Sequence, residues 1–335
     1  EEETAVITDW LAGSEGVLLL EGAYGVGKTH LLDFTYGTAL NGGYAVARVQ
    51  VNPNETPFSK PKRIYGQLVA GLKYVDPSDG STGDFAKLMR TIVERGGLKN
   101  HEFFSHLADE DDPALWEWIA CREPSAYPYN KYASPPFNWD RPGMYDYGTA
   151  ANIYTYLLSG ISRGACDALG LKGLLLLFDE SESIAQYIYQ YEVQKSHSFV
   201  QALTLTANDD PVLRKFPNRG TDLDYCRKGR SVHRFIYRVP THLKIVFAMT
   251  PYTGPLWLRD ESGVRALTLA PLEGVPCERI CHGVVGLYRA AYGDDVTAKV
   301  AAGEVLDAVD GFQTRGFVKG CVEALDLARN GHRHG

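Results

Sequence analysis

The chain has 335 residues, of which 44% are hydrophobic and 22% are charged. This composition is typical of a globular protein with a buried core and argues against disorder along most of the chain. The 34 basic and 41 acidic side chains give a formal net charge of −7. This mild acidity argues against a nucleic-acid coat over the whole surface, but it is compatible with a local basic face.

The apolar runs of the sequence are short. The longest, 174–178, has the length of a strand, and none reaches the roughly 18 to 20 residues that cross a membrane. The first residues carry no secretory signal pattern, and the chain starts at Glu1 without a methionine, which favours a trimmed chain. We therefore expect a cytoplasmic protein with no membrane partner.

Six cysteines are spread along the chain without a C-x-x-C pair, which predicts buried free thiols. Cys277, Cys281 and His282 form the one cluster, with the two thiols a helical turn apart. A zinc site usually needs four ligands, and no second Cys/His pair accompanies this cluster. We therefore favour free thiols over a zinc centre at these residues.

The sequence patterns predict alternating strands and helices. An apolar run at 16–21 indicates a buried strand, followed by a glycine-rich loop, a helix over 30–40 and a strand over 44–51. Strand, loop, helix and strand make a βαβ unit, so we predict an α/β fold with a parallel sheet flanked by helices. The same patterns predict buried strands over 173–178 and 243–250, and helices over 64–74, 85–95 and 148–170.

After residue 271 the pattern is helical, with predicted helices over 277–292, 296–309 and 317–328. This change predicts an α/β domain over 1–271 and an α-helical domain over 272–335. Residues 100–145 differ from their surroundings because they hold an acidic run and a Tyr/Pro-rich passage, whose prolines forbid long regular structure. We interpret 100–145 as an insertion that packs as a surface lobe.

Residues 22–29 fit the pattern G-x-x-x-x-G-K-T, between a predicted strand and a predicted helix. The glycines let successive backbone N–H groups surround a polyphosphate, and the helix adds its positive end. Lys28 is expected to reach the outer phosphates, and the Thr29 hydroxyl to bind Mg²⁺. The predicted nucleotide-binding residues are Gly22, Ala23, Tyr24, Gly25, Val26, Gly27, Lys28, Thr29 and His30.

Two other strand ends carry candidate catalytic groups. Asp179 follows a buried strand and is expected to complete the magnesium shell, with Glu180 polarising the attacking water. Glu182 is an alternative base, although its side chain would point away if the strand pleat continued. Thr250 ends another strand, where its hydroxyl either contacts the γ-phosphate or only caps the strand.

The segment 214–244 holds nine basic residues against Asp222 and Asp224, a charge of +7 within an acidic protein. Four aromatic residues are interleaved with them, so the segment is a candidate for binding nucleic-acid phosphates with some base stacking. A subunit interface and a solvated loop remain alternatives. The basic residues are Arg214, Lys215, Arg219, Arg227, Lys228, Arg230, Arg234, Arg238 and Lys244.

Taken together, these motifs resemble the AAA+ class of P-loop ATPases, and especially the ATP-binding proteins of BREX phage-defence systems. The loop is shared by many families, whereas residues 57–67 are more distinctive. The stretches that carry the resemblance are GVGKTHLL at 25–32, PFSKPKRIYGQ at 57–67, GLLLLFDESE at 173–182, AMTPY at 248–252 and GFQTRGFVK at 311–319.

The resemblance implies an ATP-binding α/β core, an α-helical lid after about residue 272, and assembly into a ring or a dimer. It implies that Thr250 senses the γ-phosphate, although asparagine is more usual there, and that Arg315 contacts the nucleotide from the lid. It also implies an arginine finger from a neighbouring subunit, worth several orders of magnitude in rate. The candidates for that finger are Arg234, Arg238, Arg259 and Arg265.

The leading hypothesis is therefore an ATPase whose nucleotide state controls its grip on DNA or on other defence-system proteins. One alternative is an ATP-dependent scaffold that seldom hydrolyses its nucleotide. Another is a small-molecule kinase, since P-loop kinases share the phosphate cradle. Kinase lids are usually arginine-rich, whereas residues 100–145 are acidic and aromatic, which argues against the kinase.

Overall fold

A computed structural model of the protein describes most of the chain. The described residues are 2–107, 113–122, 142–144, 146, 150–185, 189–214, 235–251, 253, 255, 257–270, 275–293, 305 and 314–330. The helices are α1 Glu2–Ala12, α2 Lys28–Asn41, α3 Pro61–Gly71, α4 Phe85–Glu94, α5 Pro113–Ile119, α6 Ala150–Leu169, α7 Gln190–Ala207, α8 Trp257–Asp260, α9 Val275–Tyr292 and α10 Thr314–Arg329. The strands are β1 Val17–Gly22, β2 Ala45–Gln50, β3 Lys73–Val75, β4 Thr82–Asp84, β5 Leu174–Asp179, β6 Leu243–Met249 and β7 Val264–Leu269.

The strands form one seven-stranded sheet in the order β4-β3-β2-β5-β6-β1-β7. The strands β2, β5 and β6 are parallel, with Val46 opposite Leu175 and Leu175 opposite Lys244. The short strands β3 and β4 add to β2 in antiparallel pairing, so the sheet is mixed. The prediction of an α/β fold with a helix-flanked sheet is confirmed, and the sheet departs from all-parallel pairing at this edge.

The core explains why the predicted strands form where they do. Every residue of β5 and β6 is buried, as expected for strands covered on both faces of a parallel sheet. The helix α6 is buried along nearly its whole length, which makes it the central helix against the sheet. Burial on this scale stabilises the fold by roughly 1.5 to 3 kcal/mol for each large apolar side chain.

Helix α3 begins with a proline, and its amino terminus is capped by a residue that is distant in sequence. Pro61 suits the first helical turn because its missing N–H has no intrahelical acceptor there. Lys60 makes no side-chain cap, and Asp146 supplies one by accepting a hydrogen bond from the Lys62 backbone N–H at 2.7 Å. A residue that directly follows the 100–145 segment therefore fixes the start of this helix.

Several element boundaries differ from the predictions. Helix α3 ends at Gly71 and not at residue 74, because Leu72 is extended and Tyr74 lies in β3. Helices α1 and α7 and strand β7 were not predicted. The predicted helix over 296–309 lies outside the described residues except for Val305, and so does most of 100–145. Within that insertion, Phe103, Phe104, Leu107, Leu115 and Trp118 are buried in the main core.

The chain separates into two compact units. One comprises residues 1–20 and 31–267, and its core contains β2, β5, β6 and the helices α3, α4, α6 and α7. The other comprises 21–30 and 268–335, with a smaller core in which Cys281, Tyr288, Phe317 and Leu325 are buried. Along the described part of the chain, no helix combines the length and apolarity required to cross a bilayer.

Candidate nucleotide-binding site

The glycine-rich loop joins β1 to α2, as predicted. Gly25 and Gly27 adopt φ angles of 81° and 107°, a left-handed backbone that glycine adopts without steric cost. Lys28 is the first residue of α2, so the loop leads directly into a helix amino terminus. The helix dipole and the free N–H groups of its first turn favour an anion at this position.

The Lys28 ammonium lies over the loop itself. Its Nζ donates hydrogen bonds to the carbonyl oxygens of Gly22 at 2.7 Å and Ala23 at 3.2 Å. These contacts hold the positive charge beside the same backbone that the glycines bend. The loop therefore brings together a lysine, a helix amino terminus and Thr29, the three elements that bind a polyphosphate.

The amino terminus of α10 contacts the loop within the second compact unit. The Arg315 backbone N–H donates to Gly25 O at 3.1 Å, and the Thr314 hydroxyl donates to Val26 O at 3.3 Å. The Arg315 guanidinium also donates to the Tyr24 hydroxyl at 3.0 Å. The structure thus brings Arg315 to the loop. Thr314 was missed, since its hydroxyl gives no sequence signal distinct from a helix cap.

In the first unit, Asp179 ends β5 and is buried at 5% exposure. Its Oδ2 accepts from the Arg48 guanidinium at 2.7 Å, and its Oδ1 accepts from the Glu180 backbone N–H at 3.1 Å. Arg48 also forms an ion pair with Asp33. Arg48 was missed by the sequence reasoning. The available signal was a single charged residue within strand β2, which lies beside β5.

The chain turns sharply after Asp179. Glu180 is exposed and has a φ of 60°, and a 3₁₀ helix, Ser181–Ala185, follows at once. The pleat therefore does not continue, and the condition under which Glu182 would point away from the site is not met. Glu182 Oε1 accepts a hydrogen bond from the Thr250 hydroxyl at 2.9 Å, while its buried Oε2 has no hydrogen-bond partner among the described residues.

An aromatic cluster packs behind these strand ends. Phe178 precedes Asp179 and stacks on Phe247 of β6, with ring centroids 5.2 Å apart. The centroid of the Phe58 ring lies 5.4 Å from that of Phe178 and 6.2 Å from that of Phe247. The Phe199 ring of α7 has its centroid 6.3 Å from that of Phe58. Phe58 belongs to the distinctive stretch 57–67, so part of that stretch fixes the strands that carry Asp179 and Thr250.

Residues 6–95 match the sequence family described as BREX system ATP-binding protein BrxC/D. The chain resembles the BREX ATP-binding proteins. The matched range contains the glycine-rich loop, Lys28, Arg48 and Phe58, and it ends before Asp179. No curated protein matches the chain.

The predicted basic segment is mostly outside the described residues, which include only Arg214, Arg238 and Lys244 of its nine cations. Lys244 corrects the prediction because it is buried. Its Nζ donates to the carbonyl oxygens of Trp10, Gly13 and Glu15 at 2.8 to 3.0 Å, at the end of α1. Burial lowers its pKa to about 8. Lys244 is therefore a structural residue that is not accessible to nucleic acid.

The candidate arginine fingers have different environments. Arg265 forms ion pairs with Asp9 and Glu15, so its guanidinium is already engaged within the first unit. Arg259 lies exposed on α8, and Arg238 is exposed in the segment before β6. Arg234 lies outside the described residues.

The cysteine cluster lies in the small core of the second unit. Cys281 and Cys321 are buried and Cys277 is half-buried, and all three are free thiols. Burial raises the pKa of Cys321 to about 12, so this thiol stays protonated. Among the described residues, no group of three or more His, Cys, Asp or Glu side chains is arranged to bind a metal. The Thr29 hydroxyl and the Asp179 carboxylate are oxygen donors, which fit Mg²⁺ supported by phosphates and water.

Proposed function

We propose that the protein binds and hydrolyses ATP as an AAA+-like nucleotide-driven switch, acting on DNA or on partner proteins in BREX-type phage defence. The observation that carries this proposal is the loop. It has the G-x-x-x-x-G-K-T sequence, left-handed glycines at Gly25 and Gly27, and Lys28 at the start of a helix. The family match over 6–95 supports ATP as the nucleotide and BREX defence as the setting.

Each loop residue has a defined role in this proposal. The backbone from Gly22 to His30 surrounds the phosphates, and Lys28 moves from the loop carbonyls to the outer phosphate oxygens. Thr29 and Asp179 are the residues that would hold Mg²⁺, which offsets the phosphate charge when it is bound. Arg48 orients the Asp179 carboxylate through its hydrogen bond to Oδ2, which favours one geometry for that ligand.

Water activation is assigned to the turn after β5. We propose Glu180 as the residue that orients the attacking water, because it follows Asp179 directly and its carboxylate is exposed. The hydrogen-bonded pair of Glu182 and Thr250 is the second candidate, since it joins a carboxylate to the predicted γ-phosphate sensor at 2.9 Å. A general base must lie within hydrogen-bond reach of the water it activates, and the two residues are therefore tested separately.

Residues 272–335 are proposed to act as the lid, which moves when the γ-phosphate is lost. Arg315 is proposed to contact the nucleotide from this lid. The contacts of Arg315 with Tyr24 and Gly25 support a link between α10 and the loop. The proposed assembly is a homo-oligomer in which a neighbouring subunit supplies the arginine finger. Arg259 is the candidate proposed for this finger because it is exposed on α8, and Arg234 is retained from the sequence alone. Arg238 lines a basic cavity with Lys99 and Arg163 and is not proposed as the finger.

A scaffold that binds ATP and seldom hydrolyses it is the alternative function. Two contacts favour it: Thr250 stands where asparagine is usual and is engaged by Glu182, and Asp179 is ion-paired with Arg48. Either contact must rearrange before the residue acts on a nucleotide or its metal. In that case ATP would bind at the same loop, and partners would recognise the bound form.

Equilibrium binding of ATP, measured by calorimetry, tests the nucleotide site. Lys28→Ala is expected to abolish binding because it removes the charge that faces the outer phosphates. Lys319→Ala is the matched control, since Lys319 is an exposed lysine of α10 whose only ion pair is with Glu323 in the described residues. Tight ATP binding by Lys28→Ala would contradict the proposal.

A further inference from the structure

A basic cavity of about 420 Å³ opens on the first unit. It lies between the turn after α4 and the carboxyl-terminal half of α6. Four basic side chains line it, against the single carboxylate of Asp167. These side chains are Arg95, Lys99, Arg163 and Arg238. A net positive charge of this kind, within a protein of charge −7, is complementary to an anion.

A smaller cavity of about 190 Å³ adjoins the basic one. The two share Leu98, Asn100, Arg163 and Arg238 as walls, and the two cavities together are called the groove. The smaller cavity is lined by the aromatic rings of Tyr156 and His101 and by Ile236, which is 59% exposed. The groove therefore offers cations at one end and apolar surface at the other.

The groove lies at the sheet edge opposite Asp179. The Arg163 guanidinium donates to Pro240 O at 3.3 Å, just before β6, and the neighbouring Ser162 hydroxyl accepts from the Leu174 N–H, the first residue of β5. These contacts place the groove at the amino ends of β5 and β6. Asp179 is the last residue of the six-residue strand β5, roughly 16 to 17 Å further along.

Two of the four cations are fixed in place, and two are available. Arg163 is held by Asp167 at 2.9 Å and by Pro240 O, and Arg95 donates to Ala168 O at the end of α6. Lys99 and Arg238 are exposed, and the described part of the chain supplies neither with an ion-pair or hydrogen-bond partner. Lys99 and Arg238 are therefore free to contact a ligand.

The apolar end has a rigid floor. The His101 and Tyr156 rings stack with centroids 4.1 Å apart, and a Cβ on Gly160 would approach His101 Nε2 to 2.5 Å, so only glycine allows this packing. Burial lowers the pKa of His101 to about 3, which keeps its ring neutral. His101 therefore adds no charge to the apolar end, and the charged contacts of the groove come from the basic side chains at its other end.

We propose that this groove binds a single-stranded nucleic acid, with its phosphates on Lys99, Arg163 and Arg238 and a sugar or base on the apolar end. A cationic groove beside exposed apolar surface is the arrangement that non-sequence-specific single-strand binders use. A duplex keeps its bases paired and stacked inside the helix, so they cannot contact the apolar end of the groove. The proposal rests on the DNA-directed part of the proposed function, and it locates that activity outside the nucleotide site.

The test is a fluorescence anisotropy titration of a labelled single strand of roughly 12 nucleotides, a length within the range of such sites. No ATP is added, so the result does not depend on hydrolysis. The variant is Lys99→Ala with Arg238→Ala. The matched control is Lys73→Ala with Lys319→Ala, which removes two other exposed lysines and the same charge.

The wild-type chain and the control are expected to bind the strand equally. The groove variant is expected to bind roughly tenfold more weakly at about 0.1 M salt, with its slope of log K against log salt reduced by roughly 1.4 for two lost phosphate contacts. Its ATP affinity and thermal midpoint should equal those of the wild-type chain, which separates loss of the groove from misfolding and from failure of the nucleotide site.

Several results would overturn the proposal. These are an absence of strand binding by the wild-type chain, equal binding by the groove variant, or an equal loss in the control. Tighter binding of a duplex of the same length would overturn the single-strand assignment. Competition by inorganic phosphate at equal phosphate concentration would replace the strand by a small phosphorylated ligand.

Discussion

The hydroxyl of Thr250 donates a hydrogen bond to Glu182 Oε1 at 2.9 Å, and this bond joins the end of β6 to the turn after β5. The two residues are 68 positions apart in sequence. Their contact exists because Glu180 turns the chain with a φ of 60° and starts the short 3₁₀ helix that holds Glu182. The strand-end threonine is therefore coupled to a carboxylate in the proposed site.

Replacing Thr250 by valine tests this coupling, because valine keeps the shape and removes the hydroxyl. Glu182 would lose its donor while its Oε2 is already unpaired, so the free energy of unfolding should fall by about 1 to 2 kcal/mol. Thr250→Ser keeps the hydroxyl and should lose less than half as much. Urea unfolding measures both, and equal losses in the two variants would show that the bond contributes nothing.

Arg315 is expected to matter for nucleotide affinity because it contacts Tyr24 and Gly25 of the loop. Arg315→Ala should weaken ATP binding roughly tenfold, the cost of losing one charge-assisted hydrogen bond. Lys319→Ala on the same helix is the control and should bind ATP as the wild-type chain does. If both variants bind ATP alike in calorimetry, Arg315 has no role at the nucleotide.

Lys244 supports helix α1 from the middle of the sheet. Lys244→Met keeps most of the side-chain volume but removes the hydrogen-bond donors to three carbonyl oxygens. The free energy of unfolding should therefore fall by about 2 to 4 kcal/mol. Lys73→Met changes an exposed lysine in the same way and should shift stability by less than about 0.5 kcal/mol. A loss in Lys244→Met no larger than that of Lys73→Met would argue against the structural role.

His101 predicts a loss of stability in mild acid. Its pKa is about 3 in the folded chain and about 6.5 when unfolded, so between these values only the unfolded chain binds the proton. The free energy of unfolding should therefore fall with falling pH by about 1.4 kcal/mol per unit from this residue. His101→Gln removes that contribution. Urea unfolding measures both chains at pH 7 and pH 4.5. Between these pH values the free energy of unfolding should fall by about 2 kcal/mol more in the wild-type chain than in His101→Gln. Equal falls in the two chains would contradict the assignment.

The elements that the sequence predicted well are those defined by local patterns. The buried strands β5 and β6 are runs of apolar residues, and the loop at 22–29 has fixed spacing between a strand and a helix. The features that were missed depend on contacts between distant residues. Arg48 reaches Asp179 across 131 positions, and Lys244 reaches Trp10 across 234.

The direction of the Glu182 side chain depends on where the strand pleat ends. Glu182 would point away from the site only if the pleat continued past Asp179, because side chains alternate along a strand. A left-handed residue at Glu180 ends the pleat, and non-glycine residues seldom adopt that conformation. The local sequence marks the end of the strand by its change from apolar to polar residues, but it does not reveal the left-handed conformation of Glu180.

The central claim is that ATP is hydrolysed at the loop formed by residues 22–29. The direct measurement is phosphate release from ATP by the purified chain, with and without DNA, for the wild-type, Lys28→Ala, Glu180→Gln and Glu182→Gln chains. We predict release by the wild-type chain, stimulated by DNA, abolished in Lys28→Ala and strongly reduced in Glu180→Gln with ATP still bound. Release by Lys28→Ala at the wild-type rate, or no release by a wild-type chain that binds ATP with or without DNA, would contradict it.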